Sequence, residues 1–343
     1  MTDAPDADPP APDTAQPVVG AAGVPPQAEH HAAFEARIRA ARSEFEAHAA
    51  HALDQFEEAN QRIKQRTGRD LFAAIGIGLV IGAVVVSSLI FVKWVFALFA
   101  FAAAVLAVFE LSRALQAGGR RIDLVPQLAA VVLLLGSAYW GDLWLHWSMI
   151  FASLALVVVW RLLAQMVAQD GRLYADVVAD VVVSAFVMLY VPFLTSLALV
   201  LLREPGGEWW VLAFIAVVVT ADTGAYAAGL SFGRHPMAPR ISPKKTWEGF
   251  AGAVLASLIA GALLAQFMLG LPWWSGLIFG AVIVGSATVG DLSESMVKRD
   301  LGVKDMSSWL PGHGGVLDRL DSILPSATAA LALHHFLSPL GAA

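Results

Sequence analysis

Apolar stretches of about 20 residues recur from Leu71 almost to the C-terminus, and each is long enough, at 1.5 Å per helical residue, to cross a hydrocarbon core of about 30 Å. No other feature constrains the fold as strongly. Hydrophobic residues make up 57% of the chain and charged residues only 15%, against roughly a quarter charged in a soluble domain. The chain therefore reads as an all-α polytopic membrane protein. About nine spans are expected, near 71–92, 94–115, 123–141, 145–167, 176–202, 209–231, 248–270, 274–293 and 320–337. The absence of cysteine excludes disulfides, thiol nucleophiles and cysteine-ligated metal centres.

The chain ahead of the spans divides in two. Residues 1–30 are rich in Ala, Pro and Asp, contain no Lys or Arg and lack an apolar core, so they read as a disordered tail rather than a signal peptide. The first span is then the insertion signal. In 31–70, Phe34, Ile38, Phe45, Leu53, Phe56 and Ile63 recur at roughly helical spacing among polar residues. This segment is expected to be an amphipathic cytoplasmic helix, lying on the bilayer, pairing with another helix or serving as a solvated linker. Residues 71–343 are expected to form the transmembrane domain.

Weaving the spans with the N-terminus in the cytoplasm puts the connections near 116, 168, 232 and 294 inside. Of 22 Lys and Arg residues, only Lys93 and Arg203 then fall on outer turns, as the positive-inside rule requires. Trp140, Trp144, Trp147, Trp209, Trp210, Trp273 and Trp274 fall near the outer ends, where an aromatic belt belongs. The long connections are the inner ones at about 232–247 and 294–319, so function is expected on the cytoplasmic side of the cell membrane.

An ionisable group inside a span is costly, about 2.5–3.5 kcal/mol for an Asp at a helix centre even on the lower scales. Asp222 and Asp291 lie in late spans leading into the two long inner connections, and both are expected to face a polar cavity. Asp176 and Asp180, four apart on one helical face, fit interfacial placement or an interhelical bond. Glu110 and Arg161, near inner helix ends, are satisfied by snorkelling or pairing and receive no chemical role.

The densest polar segment runs from Asp291 to Asp321. It carries Glu294, Ser295, Lys298, Arg299, Lys304, Asp305, the run Pro311-Gly312-His313-Gly314-Gly315, then Asp318, Arg319 and Asp321. Carboxylates are the hard ligands Mg²⁺ prefers, usually one or two alongside water and phosphate oxygens. Lys298, Arg299 and Arg319 supply cations for phosphate, and the glycines bring backbone amides close to an anion. Topology alone explains the basic residues, but neither the interleaved aspartates nor the glycine turn. The other inner loop, Ser242-Pro243-Lys244-Lys245-Thr246-Trp247-Glu248-Gly249, leads into a span. It reads either as a phosphate site ahead of a helix N-terminus or as lysines obeying topology.

These residues resemble the phosphatidate cytidylyltransferases, or CDP-diacylglycerol synthases. The C-terminal signature of that family matches throughout Ser295 to Asp321, including Lys298-Arg299, Lys304-Asp305, His313-Gly314-Gly315 and Asp318-Arg319-Leu320-Asp321. Ala221-Asp222-Thr223-Gly224-Ala225-Tyr226, Gly229 and Gly233-Arg234-His235 match upstream, and the Ser242–Gly249 loop is typical. Nothing carries over to the first 70 residues. The resemblance implies transfer of cytidylyl from CTP to phosphatidate with release of pyrophosphate, by a bilayer enzyme that is a homodimer and takes no nucleic acid. It also implies Mg²⁺, alone or with a second cation, held by Asp291 and Asp318, with Lys298 and Arg299 in the catalytic group. Substrate contacts are expected from Ser242, Lys244, Lys245, Thr246, Asp222, Ser295, Lys304, His313, Gly314, Gly315, Arg319 and Asp321.

A phosphate monoester has its second pKa near 6, so phosphatidate is largely dianionic at neutral pH and needs no strong general base. His313 is accordingly expected to order its loop rather than accept a proton. A secondary transporter would also place Asp within spans, but no inverted repeat is evident. An enzyme using a polyprenyl or ether-linked phosphate would share the same headgroup chemistry.

Overall fold

The computed structural model describes residues 71–168, 171–303, 306–307 and 314–342. The tail and amphipathic helix expected in 1–70 lie outside the described residues, as do Lys304, Asp305 and His313. The helices run α1 (Leu71–Phe91), α2 (Lys93–Ala117), α3 (Leu124–Trp140), α4 (Leu143–Val167), α5 (Tyr174–Met188), α6 (Leu194–Arg203) and α7 (Gly207–Phe232). A hairpin of β1 (Pro236–Ala238) and β2 (Ser242–Thr246) follows, then α8 (Trp247–Phe267), α9 (Trp273–Asp300), the short α10 (Leu317–Leu320) and α11 (Ile323–Leu337).

Among the described residues seven helical segments are long and apolar enough to span, while Gly78–Phe91 and Leu124–Trp140 are shorter apolar helices. Helices α5 and α6 form one continuous rod, Tyr174–Arg203, joined by a π-turn at Leu189–Phe193. Pro192 lies in that turn. It has no N–H to give the ladder, and a wider turn accommodates its ring without ending the helix.

Apolar side chains point both ways, as expected where the solvent is lipid. Ala104, Ala107, Val108, Leu134, Val211, Phe214 and Ile283 fill the interior, whereas Leu79, Phe151, Val182 and Leu255 lie on the outside. Close backbone approach binds α7, α8 and α9 together. A Cβ on Gly276 would collide with the Gly261 carbonyl oxygen, and one on Gly224 would lie 2.8 Å from that of Gly252. Small residues permit this contact, and packing of this kind drives association where no hydrophobic effect acts between helices.

Both basic residues assigned to outer turns find hydrogen-bond partners locally. Lys93 Nζ donates to Glu208 at 2.7 Å, and Arg203 donates to the carbonyl oxygens of Ala138, at 3.1 Å, and Gly141, at the end of α3. Of the tryptophans expected in the belt, Trp140, Trp144, Trp147, Trp209, Trp273 and Trp274 are exposed, but Trp210 is not. It is buried edge-on against Phe279 and His334, with centroids 5.7 and 5.0 Å away, because its neighbour Trp209 takes the outward face of the helix.

Two local expectations are corrected. Ser242–Thr246 is a strand, with Pro236 opposite Thr246 and Ala238 opposite Ser242. The segment expected as a loop ahead of a helix is thus the second strand of a two-stranded ribbon, with Pro243 inside it, and it still leads directly into α8 at Trp247. The span ending near 293 continues as α9 to Asp300, so Glu294, Ser295, Lys298 and Arg299 stand on a helix rather than in a loop.

Candidate active site

With α9 extended, Asp291, Ser295 and Lys298 fall on one helical face, four and then three residues apart. Ser295 Oγ donates to Asp291 Oδ1 at 3.4 Å. Lys298 Nζ donates to Glu294 Oε2 at 2.6 Å and to Asp318 Oδ1 at 3.1 Å, tying α9 to α10. Glu294 is almost fully buried, and its Oε1 has no hydrogen-bond partner.

Asp318 closes the loop that returns from α9. Its Oδ2 accepts from the Gly315 amide at 2.7 Å and the Met306 amide at 3.2 Å, while Oδ1 accepts from Lys298. Gly315 packs tightly against both carboxylates, since a Cβ there would lie 2.6 Å from Glu110 Oε2 and 3.2 Å from Asp318 Oδ2 and would displace the Glu110 carboxylate. Gly314 has a φ of 85°, in the left-handed region. A second carboxylate holds the same loop from a distant helix. Glu110, on α2, accepts from Ser307 Oγ at 2.6 Å, Val316 N at 3.0 Å and Leu317 N at 2.9 Å. Sequence reasoning assigned Glu110 no role, and its only sequence signal was an acid within an apolar span.

Glu110→Gln retains the shape but leaves one acceptor and no charge to face three donors. Each lost charge-assisted hydrogen bond is worth about 1.5–3 kcal/mol. The expected outcome is a lower unfolding temperature together with faster limited proteolysis within 301–316; unchanged values for both would make Glu110 incidental to the loop.

The hairpin supplies the second half of the site. Arg299 Nε donates to the Ile241 carbonyl oxygen at 3.1 Å, pinning the hairpin tip to the end of α9. Glu248 accepts from the amides of Arg234 and His235 at 3.1 and 3.2 Å and from the His235 ring, pinning its base. Thr246 caps α8, its Oγ1 accepting from Gly249 N at 3.1 Å. Lys245 then pairs with Asp291 across the gap between hairpin and α9.

These elements enclose a cavity of about 190 Å³ whose walls include Asp222, Lys244, Lys245, Thr246, Thr288 and Asp291. Five of the residues expected at the site therefore share one cavity. Ser242, Arg299, Asp318 and Asp321 do not line it. Asp321 packs against α9, where Gly290 abuts its carbonyl oxygen, and its Oδ1 accepts from Ser322 N at 2.6 Å. Arg319 is exposed on α10, and Lys304 and His313 lie outside the described residues. No cluster of three or more His, Asp or Glu suited to a metal occurs among the described residues.

Two lysines and two aspartates thus converge at the end of a bundle of membrane-length apolar helices, which defines a polytopic membrane protein with a charged cavity. Residues 72–337 match the model of the cytidylyltransferase family. Phosphatidate cytidylyltransferases from Mycobacterium bovis and Mycobacterium leprae are 39% and 37% identical to the chain, in each case over 77% of it and 88% of the relative. A chloroplastic phosphatidate cytidylyltransferase 5 from Arabidopsis thaliana is 30% identical over 81% of the chain and 73% of the relative. The chain belongs to the cytidylyltransferase family, and it is a nucleotidyltransferase enzyme of the membrane.

Proposed function

We propose that this protein joins CTP and phosphatidate to form CDP-diacylglycerol and pyrophosphate in phospholipid biosynthesis. The observation that carries the reading is the Asp222, Lys244, Lys245 and Asp291 cavity, set within a chain whose relatives of that name cover most of its length. A phosphate oxygen of the lipid attacks the α-phosphorus of CTP, the bond from that phosphorus to the bridging oxygen breaks, and pyrophosphate leaves. Positioning and charge neutralisation dominate such a transfer. Lys244 and Lys245 hold phosphate oxygens, and Lys245 exchanges its Asp291 partner for one of them. Lys298, clamped by Glu294 and Asp318, keeps the return loop against α9.

The donor chemistry fits a hard divalent cation, since Asp222 and Asp291 both line the cavity and Mg²⁺ takes only one or two carboxylates with phosphate oxygens. Resemblance pairs Asp291 with Asp318 as ligands; Asp318 is engaged by Lys298 and two loop amides, which makes Asp291 the ligand we assign first. Bound there, the ion would neutralise phosphate charge and orient the nucleotide. The hairpin and return loop face the cytoplasm in this reading, in the cell membrane, and the enzyme acts as a homodimer.

Purified full-length protein in detergent, given phosphatidate, labelled CTP and Mg²⁺, is expected to form labelled lipid and pyrophosphate in equal amounts. Folded protein that makes neither would overturn the reading, while activity confined to another lipid phosphate would keep the chemistry and change the acceptor.

A further inference from the structure

A second cavity, of about 400 Å³, opens where the turn after α2 meets the end of α4, and it shares no lining residue with the cavity at Asp291. Gln116, Arg120, Arg121, Asp123 and Arg161 form its polar walls. Arg161 is 2% exposed. Its Nη1 donates to Asp123 at 3.4 Å and its Nη2 to Gln165, with Asp180 3.8 Å away, yet its Nε is buried without a hydrogen-bond partner. These contacts fix Arg161 in the cavity wall as a buried positive charge.

The lining says which acceptor fits. The guanidinium groups of Arg120, Arg121 and Arg161 line the cavity beside the carboxylate of Asp123. The neighbouring Asp180 is offset by Arg172, which pairs with it, and it accepts from the Arg121 amide at 3.1 Å. Arg172 also donates to the Gly119 carbonyl oxygen at 2.7 Å, which fixes the turn carrying Arg120 and Arg121. Guanidinium forks match phosphate oxygens in pairs.

Location narrows the source of the phosphate. Trp160 and Leu163 on α4 and Val125 on α3 are exposed apolar side chains flanking the arginines, so the cavity mouth borders lipid-facing surface. Gly118, in the same turn, abuts Leu301 just beyond α9, so closely that a Cβ on the glycine would lie 2.6 Å from Leu301 Cδ2. The cavity therefore opens at the end of the bundle that carries the catalytic loop, the level of the phospholipid headgroups. Basic pockets between membrane helices recognise anionic headgroups in this way.

We propose that this arginine cavity binds the phosphate of an anionic phospholipid, at a site separate from the catalytic cavity. The test uses the full-length protein in neutral detergent, exposed to mixed phosphatidylcholine and phosphatidylglycerol vesicles and read by native mass spectrometry. Phosphatidylglycerol carries a phosphodiester, so it is not an acceptor for cytidylyl transfer, and the result is independent of the proposed activity. Wild type is expected to retain phosphatidylglycerol over phosphatidylcholine, and R120Q/R121Q, with helicity unchanged, to retain it about tenfold more weakly, as the loss of charge-assisted contacts predicts. Inorganic phosphate alone, added to delipidated wild type, separates the sources: binding as tight as that of the lipid would replace the lipid with free phosphate as ligand. Equal retention of phosphatidylglycerol by wild type and R120Q/R121Q, or no preference over phosphatidylcholine in wild type, overturns the site.

Discussion

Asp291→Asn is expected to lower cytidylyl transfer by roughly three orders of magnitude, about 4 kcal/mol of transition-state stabilisation, while leaving insertion and helicity intact. Asp291 is one of two carboxylates on the cavity wall, it pairs with Lys245, and Ser295 donates to it. Asparagine keeps the size and one acceptor oxygen but removes the charge that holds a hard cation against water and balances Lys245 before substrate arrives. Turnover measured across Mg²⁺ concentrations checks this, with Asp176→Asn as the control, because Asp176 is exposed in the first turn of α5. Near-normal Mg²⁺-dependent turnover in Asp291→Asn would remove it from the site and transfer the cation to Asp222.

Asp318→Asn should be nearly as damaging, but by a different route. The side chain is 7% exposed and joins Lys298 to the amides of Gly315 and Met306. Asparagine must turn its NH₂ toward either an ammonium or a backbone N–H, and breaking a buried pair from one side costs about 3–5 kcal/mol. The expected outcome is a loss of activity of about a hundredfold or more, accompanied by proteolytic sensitivity in 301–316 and an unchanged Mg²⁺ requirement. A raised Mg²⁺ requirement with a protease-resistant loop would instead make Asp318 a direct metal ligand. Lys298→Met, which removes the cation from between Glu294 and Asp318, is the companion variant that locates the fault in the pair.

The spans were legible because each meets its requirement locally. A run of apolar residues must leave water whatever its neighbours do, so hydropathy alone places the segments of α2, α4, α7 and α8 to within a few residues. The end of α9 was not legible in that way. From Glu294 onward the residues are polar and the hydropathy signal stops, but the backbone ladder does not, and the Glu294–Lys298 pair at four-residue spacing supports the added turns. Helical periodicity from Asp291 through Ser295 to Lys298 was present in the sequence, hidden by reading a polar stretch as a loop.

The β-hairpin was less accessible still. Ser242–Thr246 contains Pro and two Lys and reads as a strand only beside Pro236–Ala238, because a strand is satisfied by a partner and not by itself. Glu110 shows the same limit from the other side. A carboxylate near a helix end can be met by many groups, and only the fold brings residues 307, 316 and 317 to it.

What the sequence by itself determined is the membrane class, the alternation of apolar helices with polar connections, and the chemical character of the residues gathered at their ends. Those follow from transfer free energies and from carboxylate, ammonium and guanidinium chemistry, which residues carry wherever they sit. Tertiary structure decided which of them meet: Lys245 with Asp291, Lys298 with Asp318, and Glu110 with the loop ahead of α10. Those pairings join residues that are far apart in the chain, and they depend on glycine contacts such as Gly261 with Gly276 that set how closely the helices approach.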